Sequence, residues 1–209
     1  MNDGAHDEQH IYRVLYFALD IADHFDVNFD VLIASALLHD IGREAQFNNP
    51  NIDHAIFGSE LAYNFILKLG WNEEKANHIK KCISTHRYRK NNEPESIEAK
   101  ILFDADKLDV TGTMGIARTL AYKGIVAEPL YSLDQNGKVL DGTEDKEPSF
   151  FQEYNFKLKN IYDGFYTDRA NEIAKARKEI AKQFYETMLK EVNETYELGK
   201  VKLDKVIQR

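Results

Sequence analysis

The sequence predicts an all-α protein, a multi-helix bundle with a long C-terminal helix. Two observations carry that expectation. Apolar residues recur at three- and four-residue steps over most of the chain, and no segment shows the two-residue alternation of a half-buried strand. Glycine and proline punctuate the gaps between the periodic stretches, and no internal repeat interrupts them.

Each element can be justified in order. From His10, the residues Ile11, Val14, Leu15, Ala18, Leu19, Ala22 and Phe25 form one stripe, with Asp7 placed to cap its start. A second helix is expected over 30–41. Its run Val31–Leu38 is apolar nearly all round, which predicts a central position, and Gly42 is expected to end it as a C-terminal cap. Residues 54–69 read as a third helix closed by Gly70, and 73–84 as a shorter fourth. Residues 98–120 supply one or two more around Ile101, Leu102, Leu108 and Ile116. The stretch 125–149, with Pro129, Gly137, Gly142, Pro148 and scattered acids, reads as a loop or insertion. The last helix, 167–198, places Ile173, Ala176, Ile180, Phe184, Met188 and Val192 on one side.

Composition limits what such a bundle does. The chain has 209 residues, 43% of them hydrophobic, enough to bury a core without disulfides or a structural metal. A single cysteine, Cys82, excludes an internal disulfide framework and Cys-rich metal sites. The net charge of −8 disfavours a global grip on duplex DNA, which needs a basic face. No apolar run approaches the roughly 18 residues of a membrane span. The acidic start Met1–Glu8 is the reverse of a signal peptide, so the cytoplasm is the expected location.

Three groups of residues point to chemistry. His39-Asp40 follows Ala36-Leu37-Leu38 at the end of the most hydrophobic helix, where an imidazole and a carboxylate are costly unless paired or metal-bound. The competing reading of the isolated doublet is a core histidine bonded to a backbone carbonyl, with Asp40 capping a neighbouring turn. The run Phe103-Asp104-Ala105-Asp106-Lys107-Leu108-Asp109 sets three carboxylates around one lysine after an apolar stretch. A hard divalent cation would neutralise it, and an acidic helix end is the alternative. His10, with His6 and Arg13 within a turn of it, is the third. Two imidazoles and two carboxylates from three apolar-anchored helices make a mixed nitrogen and oxygen donor set suited to Mn²⁺, Fe²⁺, Ni²⁺, Zn²⁺ or Mg²⁺. A basic stretch, His86-Arg87-Tyr88-Arg89-Lys90, is either a solvated loop or a local seat for a small phosphorylated ligand.

The order His10, His39-Asp40, Asp106 resembles the HD-domain superfamily of metal-dependent phosphohydrolases. His6-Asp7-Glu8-Gln9-His10-Ile11-Tyr12-Arg13-Val14 is similar to that family's opening helix, His-Asp-x-x-His-x-x-Arg-Val. Ala36-Leu37-Leu38-His39-Asp40-Ile41-Gly42-Arg43 is similar to its doublet helix. Ile83-Ser84-Thr85-His86-Arg87-Tyr88-Arg89, Asp104–Asp109 and Gly112-x-x-Gly115-Ile116-Ala117-Arg118 resemble the smaller bacterial HD hydrolases, so the likeness spans about 6–195.

The resemblance implies a single HD-type helical domain over 1–209, with its core at about 6–122 and 150–198 packing on that core. It implies one divalent ion, of Mn, Fe, Ni, Co, Zn or Mg, held by His10, His39, Asp40 and Asp106, with Asp104 orienting a histidine or water. His54 and His86 would either hold a second metal bridged by Asp40 or donate to phosphate oxygens. Arg43, Arg87 and Lys107 would neutralise phosphoryl charge, and Glu44 would accept a proton unless it is a plain surface residue. The implied activity is hydrolysis of a phosphate ester or anhydride of a nucleotide, as a dNTP or NTP. The competing readings are an HD-fold nucleotide-binding or sensing module and a nuclease. The His-His-Glu-x-x-Asp-Gly-x-Gly-Tyr-Pro signature of the two-metal cyclic-di-nucleotide phosphodiesterases is absent, and His6 stands where that group has a glutamate. The long C-terminal helix permits a homodimer without requiring one.

Overall fold

The computed structural model describes residues 7–87 and 92–207. The chain forms helices α1 (Glu8–Ala22), α2 (Phe29–Leu38), α3 (Arg43–Asn48), α4 (His54–Lys68), α5 (Glu73–Thr85), α6 (Ile97–Leu108), α7 (Gly112–Ile125), α8 (Phe150–Glu153) and α9 (Asp168–Ile207). A π-helical turn, Tyr154–Leu158, continues α8, and among the described residues there is no strand. The all-α expectation holds.

Two compact units divide these elements. The first comprises the residues to Asp109 together with Gly164–Ile173. Apart from the short α3, its helices start where a side chain can satisfy the otherwise unpaired first-turn amides. Asp7 accepts from His10 N at 2.9 Å, Asp53 from Ala55 N at 2.9 Å, Asn72 from Lys75 N at 2.8 Å and Ser96 from Ala99 N at 3.1 Å. α1 packs on α6 and α2, and α5 packs on α4, α2 and α6. Val14, Ala18, Ile21, Val31, Leu32, Ile79, Ile83, Ile101 and Leu102 fill the space among them.

Several local expectations need correction. The α1 stripe buries Ile21 and leaves Phe25 exposed beyond the helix end. α2 stops at Leu38, and Leu37 and Ile41 are each 43% exposed, so this helix shows one face outward despite its composition. Gly42 is not a left-handed cap. Its φ is −87°, and it precedes the short helix α3. A Cβ there would lie 2.4 Å from His54 O and 2.7 Å from Gly58 N, so Gly42 is what allows the His39-Asp40 segment to press against α4. Gly70 does end α4 in the predicted way, with φ +83°.

The second unit comprises Val110–Asp163 and α9 from Ala174 onward. Residues 126–149 are irregular apart from one antiparallel bridge, Leu133 to Val139. Phe150 and Phe151 are fully buried, and Tyr154 stacks on Tyr185 at 4.1 Å between centroids. In α9 the buried positions are Ala170, Ala174, Ala181 and Tyr185, while Ile180 is 52% exposed and Phe184 and Ala176 are exposed too. The buried face is therefore rotated from the predicted stripe. Alanines allow the backbone to approach closely, and the tyrosine stack fixes the facing, which aliphatic size alone did not predict.

Candidate metal centre

Within the first unit, four histidines and two aspartates from five separate segments converge. His10 comes from the first turns of α1, and His39 and Asp40 follow the last turn of α2. His54 opens α4, His86 follows α5, and Asp106 lies in the last turn of α6. All four imidazoles are buried.

The orientation of each ring is fixed at its Nδ1. His39 donates to Ala36 O at 2.7 Å and His86 to Ile83 O at 2.6 Å, each an i to i−3 bond at a helix end. His10 donates to Asp109 Oδ2 at 2.8 Å, and His54 has Gln46 Oε1 at its Nδ1. A neutral imidazole has one proton. With that proton on Nδ1, the Nε2 atoms of His10, His39 and His86 carry lone pairs that point inward, and so does that of His54 when its Nδ1–H meets Gln46 Oε1.

What they face are acceptors. His10 Nε2 lies 3.3 Å from His39 Nε2, 3.4 Å from Asp106 Oδ1 and 3.6 Å from Asp40 Oδ2. His54 Nε2 and His86 Nε2 lie 3.2 and 3.8 Å from Asp40 Oδ1. Among the described residues, Asp40 Oδ1 and His54 Nε2 are buried without a hydrogen-bond partner despite that proximity. The donors fall into two groups, His10/His39/Asp106 and Asp40/His54/His86, with the ligand atoms of each mutually within 4.8 Å. Asp40 turns one oxygen to each.

Lone pairs aimed at one another in a buried space are unsatisfied as they stand, and a cation between them would satisfy them. Ligands about 2.1 Å from a shared ion stand roughly 3 Å apart, close to the spacings here. The residues present therefore fit a divalent metal. Electrostatics agree. Burial pushes the His39 imidazole down, and it pushes His54 down to about 4, favouring the unprotonated rings a metal needs. Burial opposes charge on Asp40 and Asp106, but the surrounding imidazoles, His39 foremost, hold both carboxyls below their ordinary range.

The remaining predicted residues divide. Arg43, the first residue of α3, brings Nε to 3.4 Å from Asp40 Oδ2. Arg87 Nη1 lies 3.3 Å from His54 Nδ1 and 3.8 Å from Asp53 Oδ1. Both are beside the cluster. Glu44 is exposed on α3 and has no hydrogen bond or ion pair among the described residues. Lys107 follows Asp106 by one residue, about 100° round the helix. Its ammonium donates to Gly164 O at 3.2 Å and sits 4.5 Å from the Phe165 ring, so the structure seats it at the start of α9. His6, Tyr88, Arg89 and Lys90 lie outside the described residues.

Asp104 is a clear correction. It accepts from Tyr166 N at 2.9 Å, Thr167 N at 2.8 Å and Thr167 Oγ1 at 2.7 Å, which secures the segment that begins α9. The carboxylate that orients a histidine is Asp109. Its place three residues after Asp106 was the available signal, since that spacing shares a helix face. Gln46, the partner of His54, left no signal in the sequence. Cys82 is buried and burial pushes its thiol up to about 12, the setting of a structural rather than a reactive cysteine.

The comparisons with known proteins fall on the same residues. The family model described as HD domain matches residues 8–111, which include all six converging ligand candidates. A crystal structure of an HD-superfamily hydrolase from Bacillus thuringiensis is 31% identical, with TM-score 0.65, covering 90% of this chain and 87% of that one. The chain belongs to the HD-domain family. A further relative is the uncharacterized protein YpgQ of Bacillus subtilis, 27% identical over 193 residues, which are 90% of this chain and 85% of YpgQ. The crystal structure of YpgQ in complex with ADP matches with TM-score 0.70 at 26% identity, covering 90% of each chain. A predicted HD superfamily hydrolase from an uncultured Thermotogales bacterium is 27% identical, with TM-score 0.60, covering 91% of this chain and 83% of that one. This chain thus has the HD-superfamily hydrolase fold and His/Asp clusters able to hold metal. Among the described residues, no helix is long and apolar enough to cross a membrane.

Proposed function

We propose that this protein is a metal-dependent phosphohydrolase that cleaves a phosphate ester or anhydride in a nucleotide. The observation that carries the reading is the ring of inward Nε2 atoms around Asp40, a buried donor set suited to a divalent cation. The ADP complex of YpgQ supports a nucleotide as the ligand class.

His10, His39, Asp40 and Asp106 would hold the first divalent ion, of Mn, Fe, Ni, Co, Zn or Mg. His54 and His86 would hold a second against the other oxygen of Asp40. Ligation is preferred to phosphate donation for these two because a neutral ring whose Nδ1–H is spent on an acceptor outside the cluster has no proton left at Nε2. Bound metal supplies Lewis acidity that activates water and takes up charge at phosphorus. The chain supplies the rest. Arg43 and Arg87, both half-buried, bring guanidinium groups to the edge of the cluster, where each can grip two phosphoryl oxygens and offset developing charge. Glu44 stands on α3 next to Arg43 as an exposed proton acceptor. Lys107 is left the lesser role of a phosphate contact reached from its seat on Phe165.

The test is turnover of dNTPs, NTPs, dNMPs and cyclic nucleotides by protein stripped of metal and reloaded with each of the six ions. Metal-dependent release of phosphate or pyrophosphate, absent in Asp40→Ala, is the expected result. Turnover retained by folded Asp40→Ala, or no bound metal at all, would overturn the reading.

A further inference from the structure

Of the four converging histidines, His39 and His86 are oriented by carbonyls of their own helices, and His54 by the amide of Gln46. His10 alone among them has a carboxylate at its Nδ1. Its Nδ1 is 2.8 Å from Asp109 Oδ2, and Asp109 is 1% exposed. Arg13, one turn after His10 on α1, closes the arrangement. Its Nε donates to Asp109 Oδ1 at 2.7 Å and its Nη2 to Asp109 Oδ2 at 3.1 Å.

We infer that Asp109 is a positioning residue for the metal centre, which locks His10 with its lone pair toward the ion and strengthens it as a donor, and that Arg13 serves the centre by holding Asp109 in place. The inference rests on the proposed metal site. A carboxylate accepting the distal N–H makes an imidazole more basic and removes its rotational freedom, and such outer partners are typically worth about 10- to 100-fold in metal affinity. Asp109, the C-cap of α6, lies three residues beyond Asp106, so without a restraint it would be a rival ligand on the same side. Two hydrogen bonds from a fork-shaped guanidinium fix its plane and keep both oxygens occupied. The same bonds join α1 to α6, and a purely structural tie between helices is the alternative.

The experiment is Mn²⁺ binding by titration calorimetry to metal-free wild type, Asp109→Asn, Arg13→Gln and the double variant, with no substrate present. Thermal melts of the metal-free proteins run alongside, and ¹⁵N spectra report which His10 nitrogen carries the proton. Mn²⁺ affinity is expected to fall by about 10- to 100-fold in Asp109→Asn and severalfold in Arg13→Gln, with the double variant no weaker than Asp109→Asn. The His10 proton is expected on Nδ1 in the wild type and shared between the two nitrogens in Asp109→Asn.

Lower melting temperature with unchanged Mn²⁺ affinity would overturn the inference in favour of the structural tie. Additive losses in the double variant would overturn the part assigned to Arg13. If Asp109→Asn does not fold, Arg13→Gln decides the question, since unchanged affinity there leaves nothing for the pair to do at the metal. Absence of Mn²⁺ binding by the wild type would instead remove the proposed metal site itself.

Discussion

The Nε2 atoms of His10 and His39 stand 3.3 Å apart, and each ring has committed its proton to an acceptor on its far side. Two lone pairs held face to face in a buried space repel, so the metal-free centre is destabilised by its own preorganisation. Metal binding should therefore stabilise the fold. At a free Mn²⁺ concentration about 100 times the dissociation constant, linkage predicts roughly 2.7 kcal/mol. A melting temperature that rises with Mn²⁺ and returns with chelator is the expected outcome. An unchanged melt across a saturating titration would argue against the centre.

The same preorganisation predicts how metal-free protein responds to acid. His54 is held down to about 4 by burial, against about 6.5 in an unfolded chain. Below pH 6.5 the unfolded state gains a proton that the folded state refuses, so stability falls as pH drops from about 6.5 to 4, then levels for this group. The depressed Asp40 carboxyl acts in the same direction further into acid, because its stabilisation is lost as pH falls through its folded value. The His54 contribution amounts to about 3 kcal/mol. Urea unfolding of the metal-free protein from pH 8 to pH 4 measures it, and His54→Gln should flatten the profile over that window. A wild-type profile that is already flat would contradict the burial argument.

Much of this centre was legible in the sequence because its ligands sit at helix ends that the apolar periodicity locates. His10 starts the first stripe, and His39-Asp40 follows the second. Asp106 belongs to a run of carboxylates that demanded either a cation or a cap. What the sequence left open was direction. Asp104 and Asp106 differ by two residues, or about 200° around a helix, so one faces the histidines and the other faces the start of α9. Gln46 was invisible because α3 is six residues long and has no periodicity to read. The α9 face was misjudged by weighting Ile180 and Phe184 over alanines, since close approach selects small residues and burial follows contact rather than size.

Gly42 offers a test of how the doublet is held. A methyl group there would meet His54 O and Gly58 N well inside contact distance, and both are backbone atoms that cannot turn aside. Gly42→Ala should cost about 1–3 kcal/mol of stability by overpacking. It should also weaken metal binding, because the displaced segment carries His39 and Asp40 on one side and His54 on the other. Chemical unfolding and Mn²⁺ titration check the two effects. A variant that melts and binds like the wild type would show that the segment has more slack than the structure implies.

The pair Asp104 and Asp106 gives the sharpest separation of fold from function. Asp104 is fully buried and accepts from two backbone amides and a hydroxyl in the 166–167 segment. Burial pushes its carboxyl up, against the pull of those same bonds. Removing it in Asp104→Ala strands the two buried Thr167 donors away from water and releases the half-buried Tyr166 amide, a loss of about 3 kcal/mol. None of them touches the ligand atoms, so variant protein that remains folded should bind Mn²⁺ with the wild-type stoichiometry. Asp106 is 27% exposed at the mouth of the cluster and has a lone pair of His10 3.4 Å away. Asp106→Ala should leave the metal-free melting temperature within a few degrees of wild type. It should nevertheless abolish tight Mn²⁺ binding and turnover. Melting curves and calorimetric titrations on the two variants would show opposite patterns. If Asp104→Ala lost the metal while Asp106→Ala kept it, the orientation of α6 derived from these contacts would be wrong, and with it the choice of ligand.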